Sequence, residues 1–290
     1  MKILFTADEH LYLRTKGVDK EWLANRFKKF IELTSVEEIP HDIRVHGGDF
    51  FDTMPNIEEL AIFLEYANNV TVPTYIIDGN HEATKKGKTF LTTISSMITN
   101  PLFIITDIYY QTDWADFLPY CELKNFAKEP EKYEPGSKLL FTHVRGEIPP
   151  HVKPEVDLSL FDKWEKVYAG DLHSVTNSQR NISYPGSPMS TSRARTIPKA
   201  THGCYLIDAD SLSHEWISLD SKLPHLLRLP LGQEVDDTYH NVVYEANVDH
   251  ASESVAVEGK VVEKVVKEKA SVSSLGLSKA SLFEESSALF

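Results

Sequence analysis

Five short polar motifs occur in a fixed order along the first two-thirds of the chain. They are Asp8-Glu9-His10, Gly48-Asp49-Phe50-Phe51-Asp52, Gly79-Asn80-His81-Glu82, Thr142-His143 and Gly170-Asp171-Leu172-His173. Each follows a short apolar run that reads as a β-strand, so carboxylates, imidazoles and one amide fall on successive strand-to-loop corners. Corners of this kind are where α/β sheets build ligand sites. The set has the donor chemistry for two divalent metals that share one carboxylate.

The elements between the motifs alternate. Lys2 to Thr6, Ile43 to His46 and Pro73 to Ile77 read as strands. Helical spacing over Asp19 to Leu33 places Trp22, Leu23, Phe27, Phe30 and Ile31 on one face, and Ile57 to Ala67 does the same with Leu60, Phe63, Leu64 and Ala67. A third helix is predicted over Lys88 to Ile98. This alternation argues for parallel βαβ units.

The middle of the chain changes character. Leu102 to Ile105, Ile108 to Gln111, Phe117 to Tyr120, Leu139 to Thr142 and Lys166 to Ala169 read as short strands. Asn181 to Tyr184, Cys204 to Ile207 and His214 to Leu219 read as antiparallel β. Two sheets packed face to face, with helices outside, satisfy both halves. A boundary is expected near Asp220: residues 1–220 form the main domain, and 221–290 a short C-terminal β/helical region. Leu226 to Leu231 opens that region with a small β element. Val257, Val261, Val262, Val265 and Val266 recur at helical spacing, although β-branched residues are only modest helix formers. Ser271 to Phe290 is Ser-rich and reads as a frayed tail or a segment that orders on a partner.

A net charge of −13 over 290 residues argues against coating DNA or anionic membrane by bulk electrostatics, but leaves room for a local basic groove. No apolar run reaches membrane-spanning length. The first residues read as a strand, not a leader, because Asp8 and Glu9 interrupt it. Cys121 and Cys204 lack metal-ligand spacing and are expected to be reduced thiols in a cytoplasmic protein.

Asp8 and His10 lie two apart on an extended corner, so both side chains can face one point. Asp49 follows two glycines that permit a sharp turn, and a carboxylate there can bridge two metals. Asn80 offers an amide oxygen, and His143 and His173 offer imidazoles. Asp171 stands two residues before His173. Taken singly, each has an ordinary reading as a turn or cap residue or a solvated side chain. Five in order, each after a strand, do not. His41, His46, His151, His202, His214, His225, His240 and His250 have no motif context and receive no role.

Together these motifs resemble the calcineurin-like metallophosphoesterase signature: Asp-x-His, Gly-Asp-x-x-Asp, Gly-Asn-His-Asp/Glu, a single His, then Gly-His-x-His. The resemblance covers residues 1 to about 210. Within that superfamily it is similar to the SbcD-type DNA-repair nucleases, including phage versions, through Gly47-Gly48-Asp49-Phe50-Phe51-Asp52, Leu118-Pro119-Tyr120 and Tyr184-Pro185-Gly186-Ser187-Pro188.

The resemblance implies a four-layer α-β-β-α sandwich with a small C-terminal appendage. It implies that Asp8, His10, Asp49 and His173 hold a first metal. Asp49, Asn80, His143 and Asp171 would hold a second, with Asp49 bridging. The ions expected are Mn²⁺, with Mg²⁺ or Fe²⁺ as alternatives. The chain departs from the pattern at Asp171, where the family has His. Asp suits Mn²⁺ or Mg²⁺ and adds negative charge, which either moves metal preference away from zinc-like ions or weakens the second site. The resemblance further implies that His81 contacts the phosphate and assists the departing oxygen. Asp52 and Glu82 are expected to orient ligands.

Lys85, Lys86 and Lys88 follow the Gly-Asn-His motif and, beside such a site, are placed to meet DNA phosphates; Arg145 is a further candidate, and Arg193 and Arg195 add positive charge. The resulting expectation is a metal-dependent DNA exonuclease/endonuclease subunit for repair and recombination, in the host cytoplasm if the chain is phage-encoded. It would act with an SbcC-type ABC ATPase, as a homodimer within a heterotetramer, and without a membrane. A nucleotide phosphodiesterase or phosphomonoesterase of the same fold, and a non-catalytic scaffold for the ATPase, are the competing readings. Thr53 directly after Asp52 argues against the protein-phosphatase version, which typically has Arg there.

Overall fold

The computed structural model describes residues 1–84, 88–193, 201–230 and 233, together with the backbone of two further strands at 242–247 and 263–267. Strands β1 (Lys2–Thr6), β2 (Ile43–His46), β3 (Thr74–Ile77) and β4 (Phe103–Thr106) form a parallel array, each pairing with the next. Two antiparallel strands, β10 (Gly203–Asp208) and β11 (Ser213–Ser218), extend it past β1 into a six-stranded sheet. The interiors of β2 and β3 are buried throughout, as parallel strands covered on both faces require.

A second sheet has the order β5 (Tyr110–Gln111), β6 (Asp116–Leu118), β7 (Leu139–His143), β8 (Lys166–Gly170), β9 (Ile182–Ser183). It is parallel from β6 to β9. The two sheets pack through an aromatic layer. Phe5 lies 5.3 Å from Phe141 and 5.8 Å from Tyr168, and Phe117 stacks on both Phe141 and Tyr75.

Helices close the outer faces. In α1 (Lys20–Leu33), Asp19 caps the N-terminus, and Leu23, Phe27, Phe30 and Leu33 turn inward. In α2 (Ile57–Asn69), Asn56 and Glu59 form a reciprocal capping box, and Ile62, Phe63 and Tyr66 face the same core. On the second sheet a shorter helix, α4 (Leu123–Lys128), and the 3₁₀ segment Leu158–Lys163 cover the outer face through Phe126, Phe161 and the adjacent Trp164. The result is the expected α-β-β-α sandwich. No helix among the described residues is long and apolar enough to cross a membrane.

Four local expectations are corrected. The helix expected over Lys88 to Ile98 contracts to α3 (Leu91–Ile94) and a 3₁₀ turn, Ser95–Met97. Its N-terminal end instead forms an antiparallel bridge between Ala83 and Thr89. The segment expected as an antiparallel strand over Asn181 to Tyr184 contributes only β9, which runs parallel to β8. The strand expected over Phe117 to Tyr120 stops at Leu118, and Tyr120 begins a 3₁₀ turn. Finally, Val265 and Val266 of the valine run read at helical spacing lie in β14 (Glu263–Lys267), parallel to β13 (Val242–Asn247), which pairs with β12 (Leu227–Pro230), while Val257, Val261 and Val262 lie outside the described residues. β-Branched side chains favour the pleated surface over the helix, and here that preference outweighs the spacing. Ser271 to Phe290 lies outside the described residues.

Candidate metal centre

Parallel strands deliver their C-terminal ends to one edge, and both sheets present that edge on the same side. Asp8 and His10 follow β1, Asp49 follows β2, and Asn80 and His81 follow β3. His143 ends β7, and Asp171 and His173 follow β8. The two edges meet directly: the Asp171 backbone N–H donates to Asp8 Oδ1 at 3.0 Å, and His143 Nδ1 donates to the Gly47 carbonyl at 2.8 Å.

Four of these residues adopt left-handed backbone conformations: Asp8 (φ 58°), His10 (47°), Asp49 (55°) and Asp171 (97°). Such conformations are costly for residues with a Cβ and persist only where the surroundings over-determine them. Here the first two loops are laced together. Asp8 N–H donates to Gly48 O, His10 N–H to Asp49 O and Leu11 N–H to Phe50 O, at 2.7 to 3.0 Å. Gly48 has φ +90°, and a Cβ on it would meet His143 Nδ1 at 2.6 Å. A Cβ on Gly79 would sit 2.1 Å from Asp49 Oδ1. The two glycines therefore let three loops approach at backbone distance.

Glu82 locks the second loop to the third. Its fully buried carboxylate accepts from Asp49 N–H (2.9 Å), Gly79 N–H (2.8 Å) and Phe51 N–H (2.8 Å). Asp52 lies 3.2 Å from His10 Nδ1, and its backbone carbonyl accepts from His81 Nδ1. Both residues act on the backbone and rings of candidate ligands.

The candidate ligands come together in overlapping groups. Asp8, His10 and His173 place donor atoms within 4.8 Å of one another, as do Asp8, Asp49 and His143, and also His10, Asp49 and His81. Asp49 is common to two of these groups: its Oδ2 lies 3.9 Å from His10 Nε2 and 3.5 Å from His143 Nε2. Its Oδ1 accepts from the His81 backbone N–H. Asn80 Oδ1 lies 3.1 Å from His143 Nε2, and His10 and His173 face each other through their Nε2 atoms at 3.1 Å.

Asp171, the residue that departs from the family pattern, lies 3.9 Å from His143 Nε2 through Oδ1. Both of its oxygens are also held by Arg145, with Nε and Nη2 each at 3.1 Å. A carboxylate stands where the pattern has an imidazole, and a guanidinium stands behind it.

The electrostatics fit divalent cations. Burial pushes the Asp8 carboxyl up to about 7, with Asp49 adding to the shift. Burial opposes charge on His143, yet Asp49, Asp8 and Asp171 outweigh it and raise its pKa to about 9. Burial and neighbouring His10 lower His173 to about 4. Buried carboxylates and imidazoles that shift one another this far mark a pocket of concentrated negative charge, and mixed oxygen and nitrogen donors suit Mn²⁺, Mg²⁺ or Fe²⁺.

Two supports were not foreseen. Glu9, between two candidate ligands, is buried and takes hydrogen bonds from Thr6 Oγ1 (2.5 Å) and His46 Nδ1 (2.8 Å). His46 Nε2 pairs with Tyr66 Oη at 2.7 Å. His46 ends β2 and so could have been read as facing the loop after β1. The second support is the Arg145 fork. Of the proposed basic loop, Lys88 is exposed, while Lys85 and Lys86 lie outside the described residues, as does Arg195.

Beside Asp52 opens a cavity of about 530 Å³ lined by Tyr12, Arg14, Lys16, Ser192, Arg193 and Arg228 among others. Asp52 is the one carboxylate among its described lining residues.

A family model for calcineurin-like phosphoesterases matches residues 1–190, the stretch that carries every corner described above. The chain belongs to this family. A calcineurin-like phosphoesterase is a metal-dependent ester hydrolase, and the clustered donors described here are candidate metal ligands for such an enzyme. Among curated proteins, "Probable exonuclease subunit 1" of Escherichia phage T5 is 39% identical over 264 residues, covering 86% of this chain and 79% of its own. Among solved structures, TT1561 of Thermus thermophilus aligns over 75% of this chain and 98% of its own, at 12% identity and a TM-score of 0.46, a likeness too loose to weigh.

Proposed function

We propose that this calcineurin-like phosphoesterase hydrolyses phosphodiester bonds in DNA, as the nuclease subunit of an SbcCD-like repair and recombination complex. The observation that carries the reading is the cationic cavity beside Asp52. In a chain of net charge −13, Arg14, Lys16, Arg193 and Arg228 line this cavity next to the candidate centre. Arg14 also pairs with Glu59 and Arg193 donates to the Lys16 and Gly17 carbonyls, and a polyanionic strand continuing past the scissile phosphate would meet the positive charge that they hold there. The phage T5 relative's name, an exonuclease subunit, supports both the substrate and a partner.

Asp8, His10, Asp49 and His173 would hold one metal, and Asp49, Asn80, His143 and Asp171 the other, with Mn²⁺ the expected ion. When bound, such a pair activates a water and neutralises charge on the phosphoryl oxygens. The chain's own residues do the rest. Asp49 is oriented by the His81 and Glu82 contacts, so its two oxygens have different environments. His81 Nδ1 donates to the Asp52 carbonyl, which turns Nε2 into the site, 3.8 Å from Asp49 Oδ2, with the side chain about one-third exposed. From there it contacts the phosphate and delivers a proton to the departing oxygen. Residues 221–290 provide the surface for an SbcC-type ATPase, and the work is done in the cytoplasm, in a homodimer within a heterotetramer.

End-labelled linear duplex DNA, incubated with the purified chain and Mn²⁺, tests this reading. Degradation that EDTA and Asp8→Ala both abolish is expected. Hydrolysis of a small phosphodiester or phosphomonoester, with DNA left intact even when the ATPase partner is added, would overturn it in favour of a small-ester hydrolase.

A further inference from the structure

Outside the five motifs, one more group of metal-ligating side chains comes together. His202 precedes β10, Asp220 follows β11 and His225 precedes β12. Their donor atoms lie within 4.8 Å of one another. We propose that His202, Asp220 and His225 form a separate cation site that takes a borderline transition ion such as Zn²⁺ or Co²⁺ and ties the start of the C-terminal region to the main sheet.

The carboxylate is oriented as a ligand would be. Asp220 Oδ2 accepts from the backbone N–H groups of Thr201 (2.6 Å) and His202 (3.3 Å). Its Oδ1 is thereby turned towards His202 Nδ1 at 2.6 Å and His225 Nε2 at 3.5 Å, while His225 Nε2 donates to the Asp220 backbone carbonyl at 2.9 Å, a hydrogen bond that an ion bound there would replace. Fixing one carboxylate oxygen by backbone donors while the other faces the ion is the usual outer-sphere arrangement of protein metal sites. Two imidazoles and one carboxylate on one side of an ion make a facial set that leaves positions for water.

The surroundings hold this geometry. Leu219 N–H donates to His202 O at 2.8 Å, and Leu219, Leu223 and Leu226 are fully buried around it. Asp220 and His225 are buried as well, while His202 retains some exposure, which gives an ion a way in.

Arg26 on α1 adds an opposing positive charge near His225. A site with one carboxylate and an arginine nearby binds poorly by charge alone. It favours an ion that gains from nitrogen donors, hence Zn²⁺ or Co²⁺ over Mg²⁺ or Ca²⁺.

The test is a count of Zn²⁺ per full-length chain by equilibrium dialysis, on the wild type, His225→Gln and His202→Gln. Each variant is expected to lose one equivalent of Zn²⁺, and to lose the part of the Co²⁺ visible absorption that Asp8→Ala leaves in place. Circular dichroism confirms folding, and His202, the least buried of the three, provides a folded variant if His225→Gln is unstable. An unchanged Zn²⁺ count in folded His202→Gln would overturn the proposal and leave the three residues as a hydrogen-bonded anchor. DNA cleavage plays no part in the readout, so failure here and failure of the nuclease reading are separate results.

Discussion

The two sheet edges that form the candidate centre are built differently. The edge of the first sheet carries Asp8, His10, Asp49, Asn80 and His81. It is over-determined: the loops share backbone hydrogen bonds, and Glu82 binds three N–H groups from two of them. The edge of the second sheet carries His143, Asp171 and His173 and is held more by side-chain contacts, such as the Arg145 fork on Asp171 and the His143 bond to the Gly47 carbonyl, than by shared backbone lacing. Asp171 depends on Arg145, and the His173 side chain is 43% exposed. Asp49, the proposed bridging carboxylate, sits on the rigid edge, and the departure from the family pattern sits on the looser one. Positions with fewer restraints are where a ligand type can change without dismantling the rest.

The largest effect is expected on the rigid edge. Asp49→Ala removes the group shared by both ligand sets and should cost on the order of 10³-fold or more in kcat, beyond the roughly 10–100-fold typical of supporting groups. Isothermal titration with Mn²⁺ should show both sites weakened; loss of only one would show that Asp49 does not bridge. Glu82→Gln replaces an acceptor of three N–H groups by an amide that opposes one of them. A loss of about 10–100-fold in Mn²⁺ affinity is expected, and wild-type affinity would show that the backbone lacing holds the loops without it.

The looser edge can be probed by a double-mutant cycle. Arg145→Ala should alter Mn²⁺ affinity in the wild type but not in Asp171→His, because an imidazole leaves the guanidinium without a carboxylate to balance. A coupling of about 0.5–3 kcal/mol is the expected size for residues in contact. Equal effects in both backgrounds would assign Arg145 to substrate contact. The smallest effect belongs to the cavity rim: Lys16→Ala should leave metal binding unchanged and reduce the slope of log affinity for DNA against log salt by about 1. An unaltered slope would take the strand elsewhere.

Much of the frame was readable because parallel strands are buried on both faces and so appear as unbroken apolar runs, as in Ile3 to Phe5 and Tyr75 to Ile77. The corners were readable for the same reason: ligands had to fall just after those runs. What escaped were pairings between distant segments. Nothing local in Arg145 announces Asp171, and nothing in His46 announces Glu9 and Tyr66. The short β9 lacked the length to reveal its direction. At Val265 and Val266, spacing and β-propensity disagreed, and strand pairing decided between them.

The aromatic layer between the sheets has a meaning beyond stability. Each half of the candidate centre travels with its own sheet, so the separation of the two halves is set by the thickness of what lies between them. Phe5, Phe117, Phe141 and Tyr168 act as a spacer gauge. A substitution there touches no ligand and removes no charge, yet it resets the span across which a phosphate must be gripped. In this molecule a chemical tolerance is kept in hydrocarbon.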